Sequence, residues 1–128
     1  MILGIGTDIV DIDRIKEKIL NREGFCDLVF SKEEIAYCEK IKNPFQSYAA
    51  RFAAKEAFLK ALGTGLLVTI ELHQIEVKNE TSGKPTIICS TTLNEKINQI
   101  LDTSKFNVHL SLSHTTETAI AFVIIESV

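Results

Sequence analysis

Apolar residues recur along this chain with two different periods, helical in the first half and alternating in the second. Ile2 to Val10 is almost continuously apolar, with Gly4 and Gly6 thinning its side chains, and reads as a strand. Glycine inside a strand marks close approach by a ligand or another backbone. Asp11 to Leu20 sets Ile12, Ile15 and Ile19 at helical spacing, a short amphipathic helix that Asn21 to Gly24 breaks. Ser31 followed by Glu34 is a capping box opening a second helix. Asn43-Pro44 then starts the longest helix, with proline in its first turn, running to about Leu62 with Gly63 placed to cap its end.

Beyond that helix the period becomes two. Leu72 to Lys78 and Pro85 to Cys89 read as strands joined by a turn at Thr81-Ser82-Gly83-Lys84. Leu93 to Leu101 is a short helix with Leu93, Ile97, Ile100 and Leu101 on one face. Asn107 to Ser113 alternates, with Val108, Leu110 and Leu112 on one side and His109, Ser111 and Ser113 on the other. Thr118 to Ile125 closes as an apolar strand. Early helices and late strands predict an α+β fold, a long central helix packed on a mostly antiparallel sheet.

The 128 residues fit one domain, 1–128. A net charge of -3 argues against a broad nucleic-acid surface, which needs a clustered basic excess. An anionic ligand must then be held by discrete lysines and arginines or by a metal. Cys26, Cys38 and Cys89 form no C-x-x-C pair and read as inert thiols of a reducing cytoplasm. No signal peptide is visible, and the longest apolar run, Ala119 to Ile125, falls well short of the ~20 residues that span a bilayer.

Asp8 breaks the first strand's apolar run, and two readings stand for it. It can cap the next helix, as Asp11 can, or be a carboxylate on a rigid strand end where Mg²⁺ binds. On the long helix, Phe52, Leu59 and Leu62 form an apolar stripe with Phe58 at its margin. Glu56 falls about 40° from Phe52, beside Ala49 and Ala53, at the edge of the core. It reads either as an i,i+4 partner of Lys60 or as a second ligand. Arg51, Lys55 and Lys60 are either a solvated face or phosphate contacts. Gly63 is a helix cap, and Gly65 lets a ligand approach the backbone; Gly63-Thr64-Gly65 lacks the spacing of a P-loop. Gly83-Lys84-Pro85 is a hairpin turn whose Lys84 is able to reach a phosphate. His114 stands without the partners of a zinc site or a serine triad.

Taken in order, Gly4-Ile5-Gly6-Thr7-Asp8-Ile9-Val10 with Arg14-Ile15, Phe30 to Glu34, Arg51 to Ala57 through Lys60-Ala61 to Gly65, Gly83-Lys84-Pro85 and Ser111 to His114 resemble the holo-(acyl carrier protein) synthase family across the chain. The resemblance implies a 4′-phosphopantetheinyl transferase fold and activity. In that activity, the phosphopantetheine arm of coenzyme A moves to a serine of acyl carrier protein, adenosine 3′,5′-bisphosphate is released, and the holo carrier serves fatty acid biosynthesis. It further implies Mg²⁺ on Asp8 and Glu56, and a homotrimer with active sites between subunits. By the same match, Arg51, Lys60, Gly63, Thr64, Gly65, Lys84 and His114 lie near coenzyme A, and Arg14 meets the acidic carrier. Arg14, Lys18 and Arg22 follow at i,i+4 steps as one basic ridge, although Glu17, Glu23 and Asp27 interleave with it where the family is more uniformly basic. Phe25 is either an apolar anchor beside the ridge or a core residue. A module that binds a nucleotide without catalysis, or a pyrophosphate hydrolase, would have no use for both a carboxylate pair and a carrier surface.

Overall fold

The computed structural model describes residues 1–63 and 69–128, so Thr64 and Gly65 lie outside the described residues. In chain order the elements are β1 (Ile2–Asp11), α1 (Ile12–Asn21), α2 (Phe25–Val29), α3 (Lys32–Glu39), α4 (Pro44–Leu62), a 3-10 turn (Leu72–Gln74), β2 (Ile75–Asn79), β3 (Pro85–Cys89), α5 (Thr91–Leu101), β4 (Phe106–His114) and β5 (Thr118–Ser127). The strands form an antiparallel sheet ordered β1-β5-β4 and an antiparallel hairpin, β2-β3. The α+β expectation holds.

Register decides what each face carries. β1 pairs with β5 from Ile2↔Glu126 to Asp11↔Thr118, and β4 pairs with β5 from Phe106↔Ser127 to His114↔Ala119. Alternation turns Val108, Leu110 and Leu112 toward the core and leaves His109, Ser111 and Ser113 exposed, as the pattern predicts. The inner face receives α4, whose approach to β1 is unusually close. A Cβ on Gly4 would lie 1.9 Å from the Ala61 carbonyl oxygen, and one on Gly6 would lie 1.9 Å from that of Ala57. Both glycines of the first strand are therefore explained by backbone contact with a helix.

Three sequence readings change. The predicted strand Leu72 to Lys78 starts only at Ile75, because Leu72–Gln74 curls into a 3-10 turn in which the Glu71 and Gln74 side chains each accept a hydrogen bond from the other's backbone N–H. The short helix α2 was not expected; it follows Gly24, whose φ of 81° turns the chain. The apolar stripe of α4 does not run through Phe52 and Leu59, which are only half-buried. Its packed surface is Ala49, Ala53, Ala54, Ala57, Phe58 and Ala61, small residues that let strand and helix close up. The caps hold. Gly63 is left-handed, with φ 70°, and Ser31 and Glu34 bond reciprocally.

Candidate active site

The tight crossing of β1 on α4 brings Asp8 to Lys60 and Glu56. Gly4, Gly6 and Asp8 alternate onto the same face of β1, so Asp8 continues the line that the glycines begin. The Lys60 ammonium donates to Asp8 Oδ1 at 2.9 Å and to the Thr7 carbonyl at 3.0 Å. Asp8 is thus no helix cap; the cap position of α1 is Asp11, whose side chain makes no capping bond. Glu56 is half-buried on the same side of α4. Burial, and then the Asp8 carboxylate, push its carboxyl above the ordinary range, while Lys60 and Lys18 pull it back. Two carboxylates repel each other here, and Glu56 stays raised despite Lys60 and Lys18, so the site has an unmet demand for positive charge.

A hard divalent cation fits that demand. Among the described residues no group of three or more His, Cys, Asp or Glu side chains stands ready to hold a metal. A closed protein cage is therefore absent from the described residues, and a pair of carboxylates suits Mg²⁺, which keeps water and takes substrate phosphates as further ligands.

The basic residues separate. Lys55 is fully buried and belongs to the scaffold: it donates to Glu34 Oε1 at 2.6 Å, to the Leu72 carbonyl at 3.0 Å and to the Ile75 carbonyl. Desolvation holds its pKa below the usual lysine range against the pull of Glu34. The reading of Lys55 as part of a solvated or phosphate-binding face is corrected accordingly. Arg51 and Lys60 lie about 180° apart around α4 and ~13 Å apart along it. Arg51 is only 4% exposed. Its guanidinium donates to Ser47 Oγ and to Asn79 Oδ1, each at 2.7 Å, and stacks on Tyr37 at 4.4 Å. It lines a cavity of about 270 Å³ together with Ser47, Asn79 and His114. His114 Nδ1 stays near the Thr115 carbonyl at 3.2 Å. Lys84 is exposed on the hairpin turn, where Gly83 has φ 91°.

On the other side, Arg14, Lys18 and Arg22 line one concave surface together with Glu17 and Asn21, so the three basic residues of the ridge lie together with one acid among them. Lys18 Nζ lies 5.9 Å from the Phe52 ring centroid and is near enough to Glu56 to lower its pKa. The ridge thus abuts the carboxylate pair. Phe25 is half-buried, its ring 6.4 Å from that of Phe30 and 6.5 Å from that of Phe52. Sequence reasoning missed Glu34, Tyr37, Ser47 and Asn79. The signal for Glu34 was present but read only as a cap; the other three carry no local mark.

Comparison with known proteins gives the family. Residues 4–123 match the family model of the 4′-phosphopantetheinyl transferase superfamily. The chain is 50% identical over 127 residues to the holo-[acyl-carrier-protein] synthase of Cytophaga hutchinsonii, covering 97% of each chain. Its fold matches the crystal structure of that enzyme from Neisseria meningitidis with TM-score 0.85 and 35% identity, over 99% of this chain and 100% of the other. It also matches the Bacillus anthracis synthase in complex with CoA (3′,5′-ADP), with TM-score 0.80 and 38% identity, over 100% and 99%. The chain therefore belongs to the holo-[acyl-carrier-protein] synthases of the 4′-phosphopantetheinyl transferase superfamily, enzymes that transfer 4′-phosphopantetheine to acyl carrier protein.

Proposed function

We propose that this enzyme takes its phosphopantetheine from coenzyme A in a Mg²⁺-dependent reaction. The serine hydroxyl of apo carrier attacks the pyrophosphate phosphorus that bears the pantetheine arm, and adenosine 3′,5′-bisphosphate leaves. The observation that carries the reading is the convergence of Asp8, Glu56 and Lys60 at the end of the glycine-packed crossing. Asp8 and Glu56 are the residues that would hold the cation, which when bound supplies Lewis-acid stabilisation of charge on the phosphates. Lys60 holds Asp8 in place and offers a positive charge to the pyrophosphate. Gly63 ends α4 one turn beyond Lys60, and it is assigned to coenzyme A together with Thr64 and Gly65, which lie outside the described residues. Arg51, Lys84 and His114 are assigned to the same donor. Arg14, Lys18, Arg22 and Phe25 receive the carrier, with Lys18 joining that surface to Glu56.

One copy cannot bring Arg51 to Asp8, since the two groups sit on opposite sides of α4, each pinned by its own partners. This supports a homotrimer with interfacial sites, in which one subunit supplies the carboxylates and its neighbour supplies Arg51 and His114. The outer face of the β1-β5-β4 sheet supports the same reading. Ile5, Ile9, Ile120 and Phe122 lie there exposed, Ile9 at 66% and Phe122 at 43%, an apolar surface suited to a second copy. Residues 1–128 act as one catalytic domain in this reading. Its place is the cytoplasm, where it supplies holo carrier for fatty acid synthesis; no helix among the described residues is long and apolar enough to cross a membrane.

The deciding experiment is mass spectrometry of apo acyl carrier protein incubated with the enzyme, coenzyme A and Mg²⁺. The carrier should gain the mass of phosphopantetheine and adenosine 3′,5′-bisphosphate should appear, both stopping in excess chelator. Transfer that proceeds unchanged in chelator would remove the metal from the mechanism.

A further inference from the structure

Asn79 closes β2, opposite Pro85, where the hairpin turn begins. Its side chain is used at both ends. Oδ1 accepts a hydrogen bond from Arg51 Nη2 at 2.7 Å, and Nδ2 donates one to the Gly83 carbonyl at 3.0 Å. The turn it grips is shaped by two backbone bonds, Glu80 N to the Lys84 carbonyl and Gly83 N to the Glu80 carbonyl, each 2.8 Å. Two cavities, of about 260 and 270 Å³, are both lined by Arg51 and Asn79. Tyr37, on which Arg51 stacks, lines both as well, so the two cavities meet at the Arg51 guanidinium and its partners.

We infer that Asn79 is a positioning residue that yokes the Arg51 guanidinium to the Gly83-Lys84 turn, so that both meet the donor substrate in a fixed relation. The inference rests on the reading of Arg51 and Lys84 as coenzyme A contacts and adds to it the device that aligns them. Only a carboxamide serves. Aspartate accepts from Arg51 but, ionised, has nothing to donate to the Gly83 carbonyl. It would also set a negative charge against a polyanionic substrate. Alanine and leucine offer neither group. Arg51 is already held by Ser47 and stacked on Tyr37, so the Asn79 bond fixes the fork's remaining rotational freedom and transmits its position to the turn. A preorganised fork binds phosphate with less entropy lost per bond than a mobile one.

Steady-state kinetics of Asn79→Ala, Asn79→Asp and Arg51→Ala, with melting temperature measured alongside, test this. Asn79→Ala should raise KM for coenzyme A about tenfold, the scale of one charge-assisted hydrogen bond, with kcat and KM for the carrier nearly unchanged. Asn79→Asp should also raise KM for coenzyme A while keeping the parent's melting temperature, since it retains the Arg51 bond. The Asn79→Ala and Arg51→Ala effects should be less than additive when combined. If Arg51→Ala raises KM for coenzyme A and the Asn79 variants do not, the yoke is wrong and the Arg51 assignment stands. If Arg51→Ala itself leaves that KM untouched, both fall. Equal losses toward both substrates, or a lowered melting temperature without a change in KM, would make Asn79 a purely structural residue and overturn the inference.

Discussion

Glu56 carries a cost that is legible in its surroundings: a half-buried carboxyl beside a second carboxylate, relieved in part by Lys60 and Lys18. Its folded pKa lies above its unfolded one, so stability is full below the ordinary glutamate range and falls as pH rises through the raised value. In chelator, Glu56→Gln should therefore melt above the parent at neutral pH, with the gap closing toward acid. A gap that instead widens toward acid would contradict the assignment. Added Mg²⁺ should raise the melting temperature of the parent and not of the variant, because a ligand stabilises only the state that binds it. Transfer by Glu56→Gln or Asp8→Ala should drop at least ~10²-fold, the loss expected for one preorganised electrostatic contact. Lys55 predicts the opposite pattern. Its ammonium is enclosed by Glu34 and two carbonyls, so Lys55→Ala leaves a buried carboxylate unpaired and should cost about 3–5 kcal/mol in chemical denaturation, whether or not metal is present.

Among the elements, the crossing of β1 on α4 governs the site. Gly6→Ala would drive a methyl into the Ala57 carbonyl, a backbone atom that cannot turn aside. It should cost about 3 kcal/mol or more and abolish transfer by moving Asp8 away from Glu56. Gly24→Ala makes the control: nothing lies within 4 Å of its Cβ, so only the left-handed backbone resists, at roughly 1–2 kcal/mol. If both variants melt alike, close packing is not what the first-strand glycines serve. Much of this was legible in the sequence. Helix ends with local chemistry, Ser31 with Glu34 and Gly63, were readable because a cap is a short-range bond. Asp8 and Glu56 stood out because a carboxylate in an apolar run is costly. The alanine face of α4 was obscured because alanine carries little hydrophobic signal, and its burial comes from a partner strand distant in sequence. Asn79 and Tyr37 were invisible because an exposed-looking polar residue acquires its role only when the hairpin folds against Arg51.

At the scale of the whole molecule, the outer sheet face and the split of Arg51 from Asp8 lead to two experiments. If the proposed homotrimer forms, separately purified Asp8→Ala and Arg51→Ala subunits should each be nearly inactive, yet exchange into mixed trimers should restore about a quarter of parental activity, since neighbours then complete some of the sites. Phe122→Arg should dissociate the assembly in sedimentation velocity and remove activity with it. No recovery on mixing, with exchange verified, would place the whole site within one subunit. The pairing of β1 with β5 has a consequence for synthesis on the ribosome. β1 emerges first, but its only neighbour in the described sheet is made more than a hundred residues later, as in Ile2↔Glu126. Until then the backbone N–H and C=O groups of β1 that will meet β5 have no strand partner, an open edge of the kind that chaperones shield. Chains stalled before Thr118 should therefore be protease-sensitive along their whole length, and resistance should arrive abruptly with β5 instead of growing as each helix appears.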